Sequence, residues 1–480
     1  MKKILLLTIC TLMIMSLSSY ATDTRVLTMG DNNNILMDDA NIWLYPSRIF
    51  NYPDIATAEF SNYYYDYYPI ADDMYVYNEQ ITRLGVNWKF GGDNPWVLGT
   101  YFHNNETFTK SQSDYTVHPY INQVFNLPNK RGDLFYGRML GQNQFGFHFG
   151  FVHSSYSEDD GEDGYLDEAN FALYNFEFGL TGMNGKLDLA AGIEMFTYKY
   201  ADTRDKNQGQ YLPLGDTTTV YSAFDTLKAD GNMTLSLRGR YMYEYSPTYT
   251  FIPHLSFIYG KYKYEDYDWM QHYDTLDSEI PPVDSVFYHY LMDLNFTHEY
   301  KYTEFDLGIG MQYTPTTNVL AVIDFGVKFT NLKQEREYKT TGNYSFTHYI
   351  EDPDSPGDSI WVKTDTTFEY KRKMNYFPYF KVGVEADVFD WMDIRLGATS
   401  MWGKYTYEYS DYDPYNWANY LLKYSYKYPY NTTYLGLGFN FNRLYIDCYV
   451  DPGVVLDGFN FISGSSNEMN YQISLLYEMF

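Results

Sequence analysis

The sequence predicts an all-β fold, a transmembrane up-and-down antiparallel β-barrel of about 14–16 strands. Three observations carry this expectation. The chain opens on an export leader, its apolar residues recur with a period of two, and short and long connections alternate along its length.

The leader comes first. Lys2 and Lys3 supply a positive start, Ile4 to Leu17 an apolar stretch, and Ser19-Tyr20-Ala21 small residues at the two cleavage-determining positions. Residues 1–21 therefore read as a signal peptide, with a mature start at Thr22. The apolar stretch is shorter than the roughly 20 residues a spanning helix needs and ends in Ser18-Ser19. Beyond the leader no run of about 18 apolar residues occurs, so membrane-spanning helices are excluded.

Strict alternation fills the rest of the chain. Ala172, Tyr174, Phe176, Phe178 and Leu180 share one phase, against Asn175, Glu177, Gly179 and Thr181. Leu187, Leu189, Ala191, Ile193 and Met195 oppose Asp188, Ala190, Gly192 and Glu194; Phe305, Leu307, Ile309 and Met311 oppose Asp306, Gly308, Gly310 and Gln312. Successive strand side chains point to opposite faces, so each segment has one apolar face and one polar-or-small face. A soluble sandwich shows the same alternation, and the connections decide. Tight links at Gln142-Asn143, Met183-Asn184-Gly185-Lys186, Ser246-Pro247-Thr248, Thr314-Pro315-Thr316 and Phe389-Asp390-Trp391 alternate with long polar ones near 104–132, 158–168, 201–231, 265–287, 331–372 and 408–431. Tight periplasmic turns and long outer loops are what an outer-membrane barrel requires. The strand count is sixteen if 288–313 is one long strand projecting beyond the bilayer, and fourteen if one hairpin drops out; 56–66 and 444–450 are the weakest strands.

Composition agrees. Aromatic residues make up 20% of the chain, with 56 tyrosines, whose ring and hydroxyl suit a membrane interface. A mean hydropathy of -0.45 is compatible with spanning strands that interleave apolar and polar residues. The formal charge of -28 argues against nucleic acid, whose binding requires Lys and Arg against phosphates. Cleavage leaves Cys448 alone, so no disulfide forms and no thiol metal cluster is expected. The acidic runs 158–163 and 352–358 lack calcium-loop spacing and read as solvated loops. His148, His153 and His254 sit on strands without a partner motif, so no catalytic site, cofactor or metal is expected and the chain does not read as an enzyme.

Ahead of the strands lie Thr24-Arg25-Val26-Leu27-Thr28-Met29-Gly30, then Asp38-Asp39-Ala40 and Tyr45-Pro46-Ser47. This stretch resembles the N-terminal segment of the long-chain fatty-acid transporter (FadL-like) superfamily, which includes the type IX secretion shuttle barrels. Met29-Gly30 matches its Gly-Met-Gly-Gly run, Asp38-Asp39 its Asp-containing segment and Pro46-Ser47 its Asn-Pro-Ala motif. Asp31 replaces a usual glycine and Tyr45 a usual asparagine. The resemblance implies a fourteen-strand barrel whose N-terminal segment folds into the lumen as a plug. Gly30, Asp38, Asp39 and Pro46 become gating candidates. The chain then divides into 1–21 signal, 22–55 N-terminal periplasmic or plug segment, and 56–480 barrel.

Alternation also names the residues that face the lumen: Glu177, Asp188, Glu194, Arg238, Arg240, Glu244, Asp306, Gln312, Asp324, Lys328, Asp393 and Arg395. Arg or Lys facing lipid at the midplane costs about 2–4 kcal/mol, which forces them inward. They either line an aqueous path or pair with one another and the plug; their mixed signs favour pairing. Aromatic runs at 63–68 and 405–430 read as an outer girdle and rigid strand extensions. The expected function is passage of apolar or amphipathic small molecules through the bacterial outer membrane, gated by 22–55. The expected surroundings are outer-membrane lipid and lipopolysaccharide, and the barrel-assembly machinery during insertion. A non-transporting barrel serving secretion or surface interaction is the second class, and a general porin the third.

Overall fold

The computed structural model describes residues 22–67, 75–92, 94–104, 130–159, 166–206, 217–276, 284–340, 344–351, 359–362, 366–413, 418–450 and 471–479. The predicted leader lies outside them, as do 160–163 and 352–358 of the two acidic runs.

Among the described residues nineteen strands form one sheet. They are β1 (Ile55–Tyr67), β2 (Tyr75–Phe90), β3 (Trp96–Asn104), β4 (Lys130–Leu140), β5 (Asn143–Asp159), β6 (Leu166–Gly182) and β7 (Leu187–Lys206). Then come β8 (Thr217–Tyr241), β9 (Tyr243–Ser246), β10 (Tyr249–Leu276), β11 (Asp284–Thr316), β12 (Val319–Thr340), β13 (Tyr344–Glu351) and β14 (Ser359–Val362). The last are β15 (Thr366–Phe389), β16 (Met392–Asp413), β17 (Ala418–Phe441), β18 (Leu444–Val450) and β19 (Tyr471–Glu478). Each pairs antiparallel with its neighbours, and β1 pairs with both β2 and β19, so the sheet closes on itself. β9 continues β8 after a break at Met242, while β13 and β14 form a small excursion paired to the far end of β11. The wall is therefore a closed ring of 16 antiparallel strands. Closure gives every wall strand a neighbour on both sides, as a backbone in lipid requires. The fourteen strands that the resemblance implied are too few, because both weak segments, 55–67 and 444–450, take full places in the ring.

Exposure follows the sequence period with the sign of a membrane protein. Along β6, Tyr174, Phe178 and Leu180 are exposed while Asn175, Glu177 and Thr181 are buried. Leu189, Leu237, Leu255, Leu307, Ile309, Phe325 and Leu396 extend this exposed apolar band around the ring. Such a surface belongs against hydrocarbon. At the short-turn rim, aromatic side chains stack in pairs: Phe90 with Trp96, Tyr249 with Tyr313, and Phe389 with Trp391. That is the position of an interfacial girdle.

The described residues of the long connections 201–231, 265–287, 331–372 and 408–431, read from polarity, are strand. β10 and β11 run 28 and 33 residues and stay in register from Tyr249↔Tyr313 to Leu276↔Val286; β16 and β17 pair out to Asp413↔Ala418. Their Tyr- and Thr-rich sequences have high strand propensity, so pairing continues far beyond the roughly 9–11 residues a bilayer requires.

Candidate functional site

Residues 22–54 occupy the inside of the ring. They form a six-residue helix, α1 (Asp23–Thr28), and two 3-10 turns, Asp39–Trp43 and Pro46–Asn51. Their contacts reach strands on every side, from β4, β5 and β6 to β15, β16, β17 and β19, and a segment bonded all round a closed ring can lie only within it. Met29, Ile35, Leu36, Ile42, Tyr45 and Ile49 are almost wholly enclosed. The segment sits in the short-turn half, where Arg48 Nη2 donates to Gly185 O at 2.7 Å and Gln144 Nε2 donates to Asn51 Oδ1 at 2.7 Å.

Glycines of the wall make room for it. A Cβ at Gly146 or Gly179 would overlap the backbone of Pro46 and Ser47. One at Gly137 would stand 2.5 Å from Ile49 Cγ2, and one at Gly397 2.5 Å from Thr28 O. Gly383 lies against Met29 and Gly310 against Ile35. Gly30 itself has φ +82 and rests its backbone on Val382 and Gly397, a conformation and an approach that suit a residue without a Cβ.

Ion pairs fix the segment to this groove. Arg25 donates from Nε and Nη2 to the Glu385 carboxylate at 2.6 and 2.8 Å, and Arg395 Nε binds the same carboxylate at 2.6 Å. Arg395 also reaches Asp447, which accepts from Thr22 Oγ1 at 2.8 Å. On the opposite side Arg48 and Arg240 both donate to Asp188, each from Nε at 2.8 Å. Arg240 continues to Asn34 O at 2.9 Å and to Asn41 Oδ1 at 2.7 Å, with its guanidinium 4.6 Å from the Tyr45 ring centroid. Lys381 binds Asp31 at 2.8 Å, and Gln312 Nε2 donates to Ile35 O at 2.6 Å.

The gating candidates are thus all in contact with the wall or enclosed by it. Pro46 opens the second 3-10 turn, and Asp38 and Asp39 are buried at the first. Burial pushes the Asp38 carboxyl up to about 7 despite the Arg25 guanidinium 3.8 Å away. Asp39 rises well above the carboxylate range through burial and the neighbouring acids Asp38, Asp23, Glu59 and Asp447. Its Oδ1 finds no hydrogen-bond partner among the described residues. A cavity of about 20 Å³ lined by Asp23, Asp39, Trp43, Glu59 and Arg83 lies beside it, room for about one water.

The lumen charges split into two sets. Asp188, Arg240 and Gln312 bind the segment directly, and Arg395 braces Glu385 and Asp447, which bind it, with Asp393 3.4 Å from Arg395. The others pair along the wall: Arg238 with Glu177 at 3.2 Å, Lys328 with Glu304 at 3.2 Å, Asp324 with His254 at 2.9 Å, and Asp306 with Tyr379 Oη at 3.0 Å. Glu194 faces inward with Arg131, Glu177 and Arg238 as charged neighbours. Glu244 is a correction. It stays in phase with Arg240 and the buried Met242 but sits on β9 at the short-turn rim, where its side chain is exposed and Lys186 binds it at 3.1 Å.

Above the charged layer the wall turns aromatic and apolar: Val152, Phe171, Leu173, Phe196, Tyr198, Ile258, Tyr262, Tyr300 and Tyr302 form one inward cluster. Across the ring Tyr376, Tyr379 and Tyr405 are also buried, and the Tyr405 and Tyr426 rings lie 4.7 Å apart. Of the histidines without a partner motif in the sequence, His148 reaches Asp133 and His254 reaches Asp324, while His153 is exposed; His103 also reaches Asp133. No signal in linear spacing could show this, since the partners meet only across strands β3 to β5 and β10 to β12.

Fold and lumen together define a membrane-spanning β-barrel whose short-turn half is occupied by its own N-terminal segment. No family model and no curated protein matches the chain. Among solved structures it is similar to the CymD monoaromatic hydrocarbon channel, at TM-score 0.37 and 9% identity over 95% of this chain and 97% of that one. It is similar also to the Ralstonia pickettii toluene transporter TbuX, at 0.35 and 8% over 94% and 96%. The Acinetobacter baumannii siderophore receptor PirA matches at 0.28 and 11% over 88% and 80%.

Proposed function

We propose that the protein passes amphipathic small molecules across the bacterial outer membrane, with residues 22–54 as the closure of the path. The observation that carries this reading is the division of the lumen. Its lower half is filled by a segment held through side chains, not by strand pairing, and its upper inner face is built of tyrosine and phenylalanine. Tyrosine offers an apolar ring and a hydroxyl together, which matches a ligand with both characters. A general porin would need a continuous aqueous path, and the charges paired along the wall do not favour the single free sign that selects ions.

Deleting residues 24–47 tests the reading. Conductance in planar bilayers should rise, and vesicles holding the variant should admit a fluorescent naphthylamine faster than those holding the intact chain. Equal leakage by both proteins would remove the closure. The length of β10, β11, β16 and β17 beyond the bilayer favours a second reading, a surface-interaction barrel. That reading expects unchanged leakage and a protein partner recovered from detergent extracts.

A further inference from the structure

The side chain of Trp43 projects from the first 3-10 turn into a nest on the wall. Its ring meets Tyr101 at 5.1 Å, His103 at 5.2 Å, Phe135 at 4.8 Å and His148 at 5.6 Å, each edge-on. The Arg83 guanidinium lies 4.8 Å from the ring centroid and that of Arg131 5.8 Å. His148 stacks flat on Phe135 at 4.2 Å, so the imidazole and the phenyl ring form one floor under the tryptophan.

The hydrogen bonds of His148 set its charge. Nε2 lies 2.6 Å from Asp133 Oδ1 and Nδ1 lies 3.3 Å from Glu177 Oε2. Asp133 also faces Arg131 and His103, and Glu177 faces Arg238, so both carboxylates are held ionised by other partners. An ionised carboxylate only accepts, and a ring nitrogen facing one must carry a proton. With both nitrogens so placed, the ring is an imidazolium. Arg83, on β2, donates from Nε to His103 Nδ1 at 3.2 Å, which leaves His103 its other nitrogen for Asp133. The groups around His148 are therefore Asp133 and Arg131 on β4, His103 on β3, Glu177 on β6, Arg238 on β8, and Trp43.

We propose that His148 is a proton-operated latch for the N-terminal segment: the imidazolium ties β4 to β6 beneath Trp43, and its loss of a proton unseats the tryptophan and opens the lumen. The inference rests on the closure reading above and adds its regulation. On deprotonation one ring nitrogen presents a lone pair to a carboxylate. That bond is lost, the carboxylate facing the lone pair repels it while the other keeps its donor, and the flat stack on Phe135 no longer has a fixed floor position. The consequence is specific to Trp43, because the other anchors of the segment are guanidinium– or ammonium–carboxylate pairs and bonds of neutral hydroxyl and amide groups, none of which depends on an imidazole. Asp38 and Asp39 are the exceptions among carboxyls of the segment, and an Asp38→Asn, Asp39→Asn background removes their titration.

The test is conductance of the full chain in planar bilayers from about pH 5 to about pH 9, in the Asp38→Asn, Asp39→Asn background. The expected result is a closed protein at the acid end and a rise of about tenfold or more at the alkaline end. Trp43→Ala should be open at both ends, and His148→Phe should lose the pH dependence. A flat profile in the unaltered nest, while deletion of 24–47 still raises conductance, overturns the latch and leaves the closure standing. If the deletion changes nothing, latch and closure fall together. Should His148→Phe not fold, a second variant decides. Ser47 Oγ and Thr181 Oγ1 are 2.8 Å apart, so the pair Ser47→Cys and Thr181→Cys can be oxidised to pin the segment. Pinning should abolish the alkaline rise and reduction should restore it; a rise that persists when pinned also overturns the proposal.

Discussion

Arg25 and Glu385, separated by 360 positions in the chain, meet in two buried hydrogen bonds of 2.6 and 2.8 Å from one guanidinium to one carboxylate. This bidentate geometry is the strongest form of side-chain pairing, and it joins the N-terminal segment to the wall at β15. Removing one partner of a buried pair costs about 3–5 kcal/mol, because the other charge stays buried. Here the cost is unequal. Without Arg25, Glu385 still has Arg395, but Asp38 loses the cation 3.8 Å away. Arg25→Met should therefore release the segment to added protease while the barrel remains folded in detergent. Combined with Glu385→Gln it should show a coupling of about 1–3 kcal/mol in urea titrations. Simple addition of the two single effects would mean that the pair does not hold the segment.

The wall glycines give a prediction in which chemistry is constant and only position changes. Gly146 and Gly182 lie on the adjacent strands β5 and β6, and both become alanine in the test. At Gly146 the new Cβ overlaps the backbone of Pro46 and Ser47, whereas at Gly182 it meets the Asn143 side chain, at 3.2 Å or more. Gly146→Ala should raise conductance and N-terminal protease sensitivity; Gly182→Ala should change neither. Similar behaviour of the two variants would mean that the segment is not lodged against β5.

The pH dependence of docking follows from Asp38. Burial raises its carboxyl to about 7 in the folded protein, from 3.8 in an open chain. The docked state thus holds a proton that the undocked state releases, and docking weakens as pH climbs from about 4 to about 7. Below that window the contribution is complete, and above it the loss reaches a few kcal/mol, up to about 4 by the size of the shift. Protease protection of the N-terminus should fall over this window in the intact chain and fall less steeply in Asp38→Asn, where Asp39 still titrates. A protection that increases with pH would reverse the sign and refute the assignment.

How much of this is legible in the sequence depends on whether the signal is local. Alternation places Glu177, Asp188, Arg240 and Arg395 on the lumen side because strand geometry makes every second residue face the same way. It misplaces Glu244 because phase carries no depth: the residue keeps the register of Arg240 but lies at the short-turn rim, where its side chain is exposed. The polar-or-small phase is plain in the sequence, yet the glycines within it mean more than a small lumen face. Gly146, Gly179, Gly310, Gly383 and Gly397 are the mould of the segment, and the close approach of its backbone explains why small residues are so numerous there. Arg25 stands in the N-terminal motif, but its partner does not, and Arg48, Glu385 and Asp447 carry no spacing that links them. The Asp133–His148–Glu177 chain runs across three strands and is invisible for the same reason. The long links pass for loops because Tyr and Thr are polar enough to resemble them and β-prone enough to pair.

The direction of the strands' apolar face is open to a direct measurement on β11. Leu307 is 48% exposed and Asp306, its neighbour, turns inward to Tyr379. An arginine in place of Leu307 must face hydrocarbon, at a cost of about 2–4 kcal/mol near the midplane. Asp306→Asn removes one charged acceptor from the lumen, at about 1.5–3 kcal/mol if its bond to Tyr379 is lost, and less where the amide still accepts. The two variants should separate by solvent. In lipid vesicles Leu307→Arg should lower the urea midpoint the more, and in detergent micelles, which deform around a charge, its deficit should shrink. Asp306→Asn should show the same small change in both. If Leu307→Arg were as stable as the parent in vesicles, the exposed band would not be the lipid face, and the polar phase could not be the lumen.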